Sequence, residues 1–275
     1  MPSHKKIMPA LWVLLLMAGT SGPVHAQTFN DFLKEKTELE TEAELTLDVM
    51  SNVAGGVERG IRGRAQIDLV GVVDTAQKGL WNGGIFKLYI LGLCGGHPSE
   101  LVGDDQGVDN IDGDTTVKLH ELWYQHTWDK VHTSLLFGLH DYNSEFHVLH
   151  HAGVFVNSSF GLSREISQTG PSVFPTTSLA LRAAYHAPRG AYLLGGVYDG
   201  VPGDPEDAHG THIILRHNDG LFYGLEAGIA APGAPDSDPK YFKAGIGWWR
   251  HTTDFTDDHD VLHGGHAGVY VLFEH

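Results

Sequence analysis

The chain has 275 residues, with 18 Lys+Arg against 34 Asp+Glu and a formal net charge of −16. An acidic balance of that size repels a phosphate backbone and argues against nucleic acid as a partner. Cys94 is the single cysteine, so no internal disulfide framework exists.

A mean hydropathy of −0.15 is that of a soluble protein, and equally that of strands that spend only alternate residues on lipid. The 35 glycines are nearly twice the ~7% average and suit tight turns and closely packed strands.

Lys5 and Lys6 precede an apolar run from Ile7 to Ala18, followed by small residues and Val24-His25-Ala26. A basic start, a short apolar stretch and a small-x-small site make an export signal over residues 1–26, with the mature protein starting at Gln27. The run is shorter than the ~20 residues of a membrane-spanning helix, and no later segment is long and apolar enough to serve as one. Residues 27–41 form a lead-in, either a short helix capped by Asn30 or Asp31 or a flexible segment. Any membrane crossing must therefore be made by strands.

From residue 42 onward the sequence alternates with a period of two, as an extended strand does. The first strand is expected over Glu42–Ser51, with Ala43, Leu45, Leu47 and Val49 facing one way. The cleanest alternation follows at Gly60–Asp74. There Ile61, Ile67, Leu69 and Val73 oppose Arg62, Arg64, Gln66 and Asp68.

A third strand, Ile85–Gly95, sets Lys87 and Tyr89 against Phe86, Leu88 and Ile90, and a long Asp/Gly-rich loop follows over 96–114. Further strands are expected at Thr115–Trp128, Val131–Asp141, Ser178–Ala187, Ala191–Asp199, Thr211–His217, Leu221–Ala230, Lys240–Arg250 and Gly265–Glu274, eleven in all. Arg182 stands with Ser178 and His186 against Leu179, Leu181, Ala183 and Tyr185.

No helical periodicity separates these strands, which excludes a βαβ enzyme fold. A soluble β-sandwich also alternates, but its strands average about five or six residues. Strands of ten or more, short turns alternating with long loops, and Trp81, Tyr89, Trp128, Tyr192, Trp248 and Trp249 near strand ends instead suggest a membrane β-barrel with aromatic girdles.

Glu100 with Asp104 and Asp105, or Asp109 with Asp112, have the look of catalytic pairs, yet an Asp/Gly-rich loop produces such pairs by composition. His147, His150 and His151, and His251, His259, His263 and His266, lack the spacing of a structural zinc site; chance clustering among 19 histidines accounts for them. No enzyme, metal or cofactor is expected.

The strings NVAGGVERG (52–60), HPSELVGDDQGVDNID (97–112), HELWYQ (120–125), LHDYNSEF (139–146), AGVFVNSSFG (152–161), GPSVFPTTSLALRAAY (170–185) and YDGVPGDP (198–205) resemble, in order, the carbohydrate-selective porins of the OprB family. The resemblance implies an all-β fold, an outer-membrane antiparallel barrel for passive, sugar-preferring diffusion in a Gram-negative bacterium. It implies contact with outer-membrane lipid and the barrel-assembly machinery, and leaves a homo-oligomer such as a trimer open. Family barrels have sixteen strands. The chain reads as a short member, its barrel incomplete, and it ends in Phe273-Glu274-His275 rather than on a terminal aromatic. A secreted β-rich carbohydrate-binding protein or adhesin is the competing class.

A pyranose has hydroxyls around its rim and C–H groups on its faces. A pore that prefers it needs donors and acceptors, an aromatic face, and affinity weak enough for release. On the parity opposite the apolar rows, Arg62, Arg64, Gln66, Asp68, Lys87, Glu121, Trp123 and Arg182 are the candidates for a luminal sugar path, narrowed by the loops 96–114 and 141–177.

Overall fold

In the computed structural model, residues 40–204, 207–211, 213, 216, 218–231, 241–256 and 261–275 are described. The expected export signal and most of the lead-in fall outside them. Alternating stretches become ten strands: β1 (Glu40–Asn52), β2 (Gly60–Asp74), β3 (Gly84–Gly95), β4 (Thr116–Trp128), β5 (Thr133–His140), β6 (Ser178–His186), β7 (Ala191–Asp199), β8 (Leu221–Ala230), β9 (Lys243–Thr256) and β10 (Leu262–Glu274).

They form one antiparallel sheet in sequence order, each strand paired with the next. Such a meander places 53–59, 96–115, 141–177, 200–220 and 257–261 at one end, and 75–83, 129–132, 187–190 and 231–242 at the other. Three of the five connections at the first end are far longer than hairpins need. Among the described residues, no strand pairs the outer edge of β1 or of β10.

The expected strand at Thr211–His217 is not a member of this sheet. β7 pairs directly with β8, from Ala191↔Ile229 to Asp199↔Leu221, so nothing stands between them. Four of its seven residues lie outside the described ones. Of the described residues in and before it, Ala208 and Thr211 lie against β4, where Thr116 Oγ donates to Ala208 O and Thr211 Oγ to Leu119 O. The run Ile213-Ile214-Leu215 read as a strand because a short apolar run fits one on pattern alone.

Side-chain parity sorts the two faces. Leu47, Phe137, Leu181, Leu225 and Val271 on the convex side are exposed, up to 78% for Val271. On the concave side Arg64, Glu121, Arg182 and Glu226 are buried. Leu and Val outward with ionisable groups inward inverts the order of a water-soluble sheet. Burying each such large apolar side chain is worth about 1.5–3 kcal/mol, so rows of them left bare call for hydrocarbon.

Parity also corrects the aromatic girdle. Trp81, Trp128 and Trp248 are exposed, whereas Tyr192 and Trp249 are buried on the concave face. Trp248 and Trp249 are adjacent, so a strand must send them to opposite faces. Tyr89 also points inward, toward Asp68.

The concave face is not empty. Tyr142, Phe146, Leu162 and Ile166 of the 141–177 loop pack in a buried cluster with Tyr198, Phe222 and Trp249. Tyr142 and Phe146 stack with centroids 4.6 Å apart. Glycine opens the space they need: a Cβ at Gly224 would sit 2.5 Å from Tyr142 Cε2. Loop 96–115 carries the one-turn helix α1 (Pro98–Val102), and Asn52 Nδ2 ties it to the first hairpin through Leu101 O at 3.0 Å. Loop 141–177 carries α2 (Arg164–Ser167).

Candidate functional site

On β2–β4 the inward side chains form one polar and aromatic patch. Lys87 stands opposite Trp123, and Tyr89 opposite Glu121. Lys87 Nζ pairs with Glu121 Oε2 at 2.5 Å, and Trp123 Nε1 donates to Glu121 Oε1 at 3.1 Å. Tyr89 OH donates to Asp68 Oδ1 at 2.5 Å, and Gln66 Nε2 reaches Asp68 Oδ2 at 2.8 Å. The Lys87 ammonium lies 5.6 Å from the Tyr89 ring centre and 5.7 Å from that of Trp123. Gln66, Asp68, Lys87 and Trp123 remain partly exposed, so this ladder presents donors, acceptors and an indole face to the concave side.

A bulge makes it possible. Between Tyr89↔Glu121 and Ile90↔Leu119 the register slips by one residue on β4. His120 and Glu121 are therefore both buried, and the inward parity changes from Thr116 and Lys118 on one side to Glu121 and Trp123 on the other.

The two inward arginines with the deepest burial are already engaged. Arg64, 4% exposed, donates from Nε to Ile111 O at 3.0 Å, from Nη1 to Gly96 O at 2.5 Å and from Nη2 to Gly113 O, and pairs with Asp112 at 3.2 Å. It fastens loop 96–115 to the wall. Arg182, 2% exposed, donates to Ser134 Oγ at 2.7 Å and Gln125 Oε1 at 2.5 Å and pairs with Glu145 at 2.5 Å. It fastens loop 141–177. Arg62 is half-buried and donates to its neighbour's carbonyl, Ile61 O, at 3.2 Å. All eight candidate residues thus face the concave side, and six of them belong to the open ladder or its rim.

Other inward groups were not singled out by the sequence. Glu226 accepts from Tyr192 OH at 2.8 Å, Tyr270 OH at 2.7 Å and the backbone N–H of His147 at 2.8 Å. Lys243 lies 3.5 Å from the same carboxylate and donates to Val148 O at 2.7 Å. Asp141 opens the long loop, with its side chain accepting from Asn143 N at 2.7 Å. Burial, and then the neighbouring Glu121 carboxylate, push the Asp141 carboxyl up to about 7. Burial likewise raises Glu145, with Arg182 opposing. Glu226 and Lys243 have inward strand parity, while Asp141 and Glu145 stand in a loop where parity does not apply; nothing local distinguishes an anchor for a remote backbone from a solvated wall group.

Several acids of the pairs in loop 96–115 serve to fold it. Asp104 takes the backbone N–H of Gln106 at 2.9 Å, and Asp112 serves Arg64 and His97. Among the described residues, no group of three or more His, Cys, Asp or Glu is placed to hold a metal ion; His259 lies outside them.

The profile of the carbohydrate-selective porin, OprB family, matches residues 58–271. The solved high-pH structure of Pseudomonas putida OprB is similar with a TM-score of 0.72 at 17% identity, covering 90% of this chain and 63% of that one. At that identity the likeness speaks for the fold, a strongly curved antiparallel sheet with almost no helix. No curated protein sequence matches the chain. The matched span runs from just before β2 into β10 and takes in the ladder, both infolded loops and their arginine anchors: the chain belongs to the carbohydrate-selective porin OprB family.

Proposed function

We propose that the chain forms the wall of an outer-membrane pore that passes sugars passively, after export through a cleaved signal at residues 1–26. The observation that carries this reading is the pairing of a bare apolar convex face with a concave face whose ladder is narrowed by two anchored loops. Lipid suits the first. A pyranose suits the second, with Gln66, Asp68, Lys87 and Glu121 for its hydroxyls and Trp123 for its apolar face. Arg64 and Arg182 set the width by holding the loops, and Arg62 extends the polar rim. No step in this reading is catalytic. A secreted adhesin would have no use for the bare convex rows.

Backbone groups left unpaired in hydrocarbon cost several kcal/mol each. In the conducting form, further strands must therefore cover the outer edges of β1 and β10. Swelling of liposomes reconstituted with the full chain, at rising protein-to-lipid ratio, tests the proposal. Glucose should enter faster than an uncharged non-sugar solute of similar size. Equal rates would contradict sugar preference, and no swelling at any ratio would contradict the pore.

A further inference from the structure

The ten described strands turn their lysines and arginines inward, with a single exception. Arg62, Arg64, Lys87, Lys118, Arg182 and Lys243 stand on the concave parity, whereas Arg250 of β9 stands on the convex one. Its neighbours along the strand, Trp249 and His251, are both buried on the concave side, so Arg250 between them points outward, and it is exposed. Across the sheet it stands opposite Tyr223 of β8 and Ala267 of β10.

The same outward row fixes its level in the wall. Ile246 and Trp248 come first, apolar and exposed, with the exposed Leu225 and Val269 on either side of Trp248. Beyond Arg250 come Thr252 and Asp254, both exposed. The row therefore changes from apolar to polar at Arg250. Tyr223 beside it is two residues from the end of β8 that meets the long connection 200–220. Long connections mark the outer side of an outer-membrane barrel, and Trp and Tyr favour the boundary between hydrocarbon and headgroups. Other outward rows carry no such charge: those of β2 and β4 stay apolar toward their outer ends, at Ile61 and Val117.

Arg250 lacks a protein counter-charge. Among the described residues it makes no ion pair or hydrogen bond. The next acid of its row, Asp254, is about 13 Å further along the strand. A guanidinium at the edge of hydrocarbon loses hydration without a partner to replace it, and its long stem lets it reach toward the headgroup plane. A phosphate supplies the missing charge, and two of its oxygens match the guanidinium fork. Ala267 is exposed and carries only a methyl, which leaves the fork open from the β10 side.

We propose that Arg250, framed by Tyr223, Trp248 and Ala267, is a binding site for a phosphate-bearing lipid of the outer leaflet. The phosphate sits on the guanidinium, and the acyl chains run down Trp248, Leu225 and Val269. The proposal rests on the convex face being the lipid face and takes nothing from the sugar path.

Native mass spectrometry of the full chain folded in detergent micelles, titrated with phosphatidic acid and with phosphatidylcholine of the same acyl chains, tests it. The first offers a phosphomonoester with net charge, the second a phosphate already neutralised by its own headgroup. The wild type should hold phosphatidic acid in preference. Arg250→Gln should weaken that binding by about fivefold and erase the preference, while Arg250→Lys, a point charge without the fork, should keep part of it. Arg189→Gln removes the same charge from the exposed turn 187–190 at the other end and should leave the preference intact. Heat-modifiable gel mobility checks that each variant is folded. Binding unaltered in folded Arg250→Gln, or weakened as much by Arg189→Gln, would overturn the site. So would an oligomer that dissociates in Arg250→Gln with its lipid count unchanged, which would assign the counter-charge to a second copy of the chain. In each of these cases the pore reading stands, since that reading fails on absent liposome swelling.

Discussion

The backbone N–H of Asp141, at the root of the infolded loop, donates to Glu121 Oε1 across 3.3 Å. The carboxylate that holds Lys87 and Trp123 in the ladder therefore also holds the loop that packs on the concave face. In the proposed pore, sugar contacts and pore width would meet at Glu121.

Glu121→Ala should break both. It leaves Lys87 without its partner and frees the loop root, at a cost of about 1–3 kcal/mol for a hydrogen-bonded charge. Permeability should rise and sugar preference fall together. Liposome swelling with paired solutes measures both, and a change in one alone would separate the two roles.

Asp141 gives a pH dependence with a definite sign. Its carboxyl is raised to about 7 in the fold, chiefly by burial, and an unfolded Asp titrates near 3.9. Between those values the native state binds more protons, so stability falls as pH rises from about 4 to about 7 and is level above. The urea midpoint of the wild type, less that of Asp141→Asn, should decline across that window. Parallel curves would contradict the assignment.

Leu69 is exposed on the convex face, and Gln66 is on the concave one within hydrogen-bond reach of Asp68. An arginine near the membrane midplane costs ~2–4 kcal/mol on the lipid side and far less in the lumen. Leu69→Arg should impair folding into bilayers more than Gln66→Arg, as followed by heat-modifiable gel mobility. Equal impairment would mean that neither face meets lipid.

Trp123 and Arg64 should separate in their effects. Trp123→Ala removes an accessible aromatic face, and is expected to lower sugar flux relative to a similar-sized non-sugar. Arg64→Ala frees the carbonyls of Gly96, Ile111 and Gly113 and loosens loop 96–115, so both fluxes should rise alike. A selective effect of Arg64→Ala would make it a sugar contact instead.

The strands and their faces were legible because alternation is local: Leu47 and Asp48, or Leu69 and Asp68, declare their sides. The β4 bulge was not placed, although LHELW sets two polar residues, His120 and Glu121, side by side between Leu119 and Leu122; only the pairing of Glu121 with Tyr89 shows that both point inward. Nor was the use of Arg64. Three of its partners are backbone carbonyls 32 to 49 residues away, which carry no side-chain signature, and the fourth, Asp112, lies in a loop full of carboxylates. Thr211–His217 had the composition of a strand and lost its place to the direct pairing of β7 with β8.

The account stands on the concave face being water-filled and the convex face lipid-covered. Single cysteines at Leu47, Phe137 and Val271, and at Gln66, Asp68 and Trp123, introduced with Cys94→Ser into the full chain in bilayers, report this through a membrane-impermeant thiol reagent. The second set should react at least about tenfold faster than the first, because lipid excludes the charged reagent. Similar rates in both sets would contradict the account.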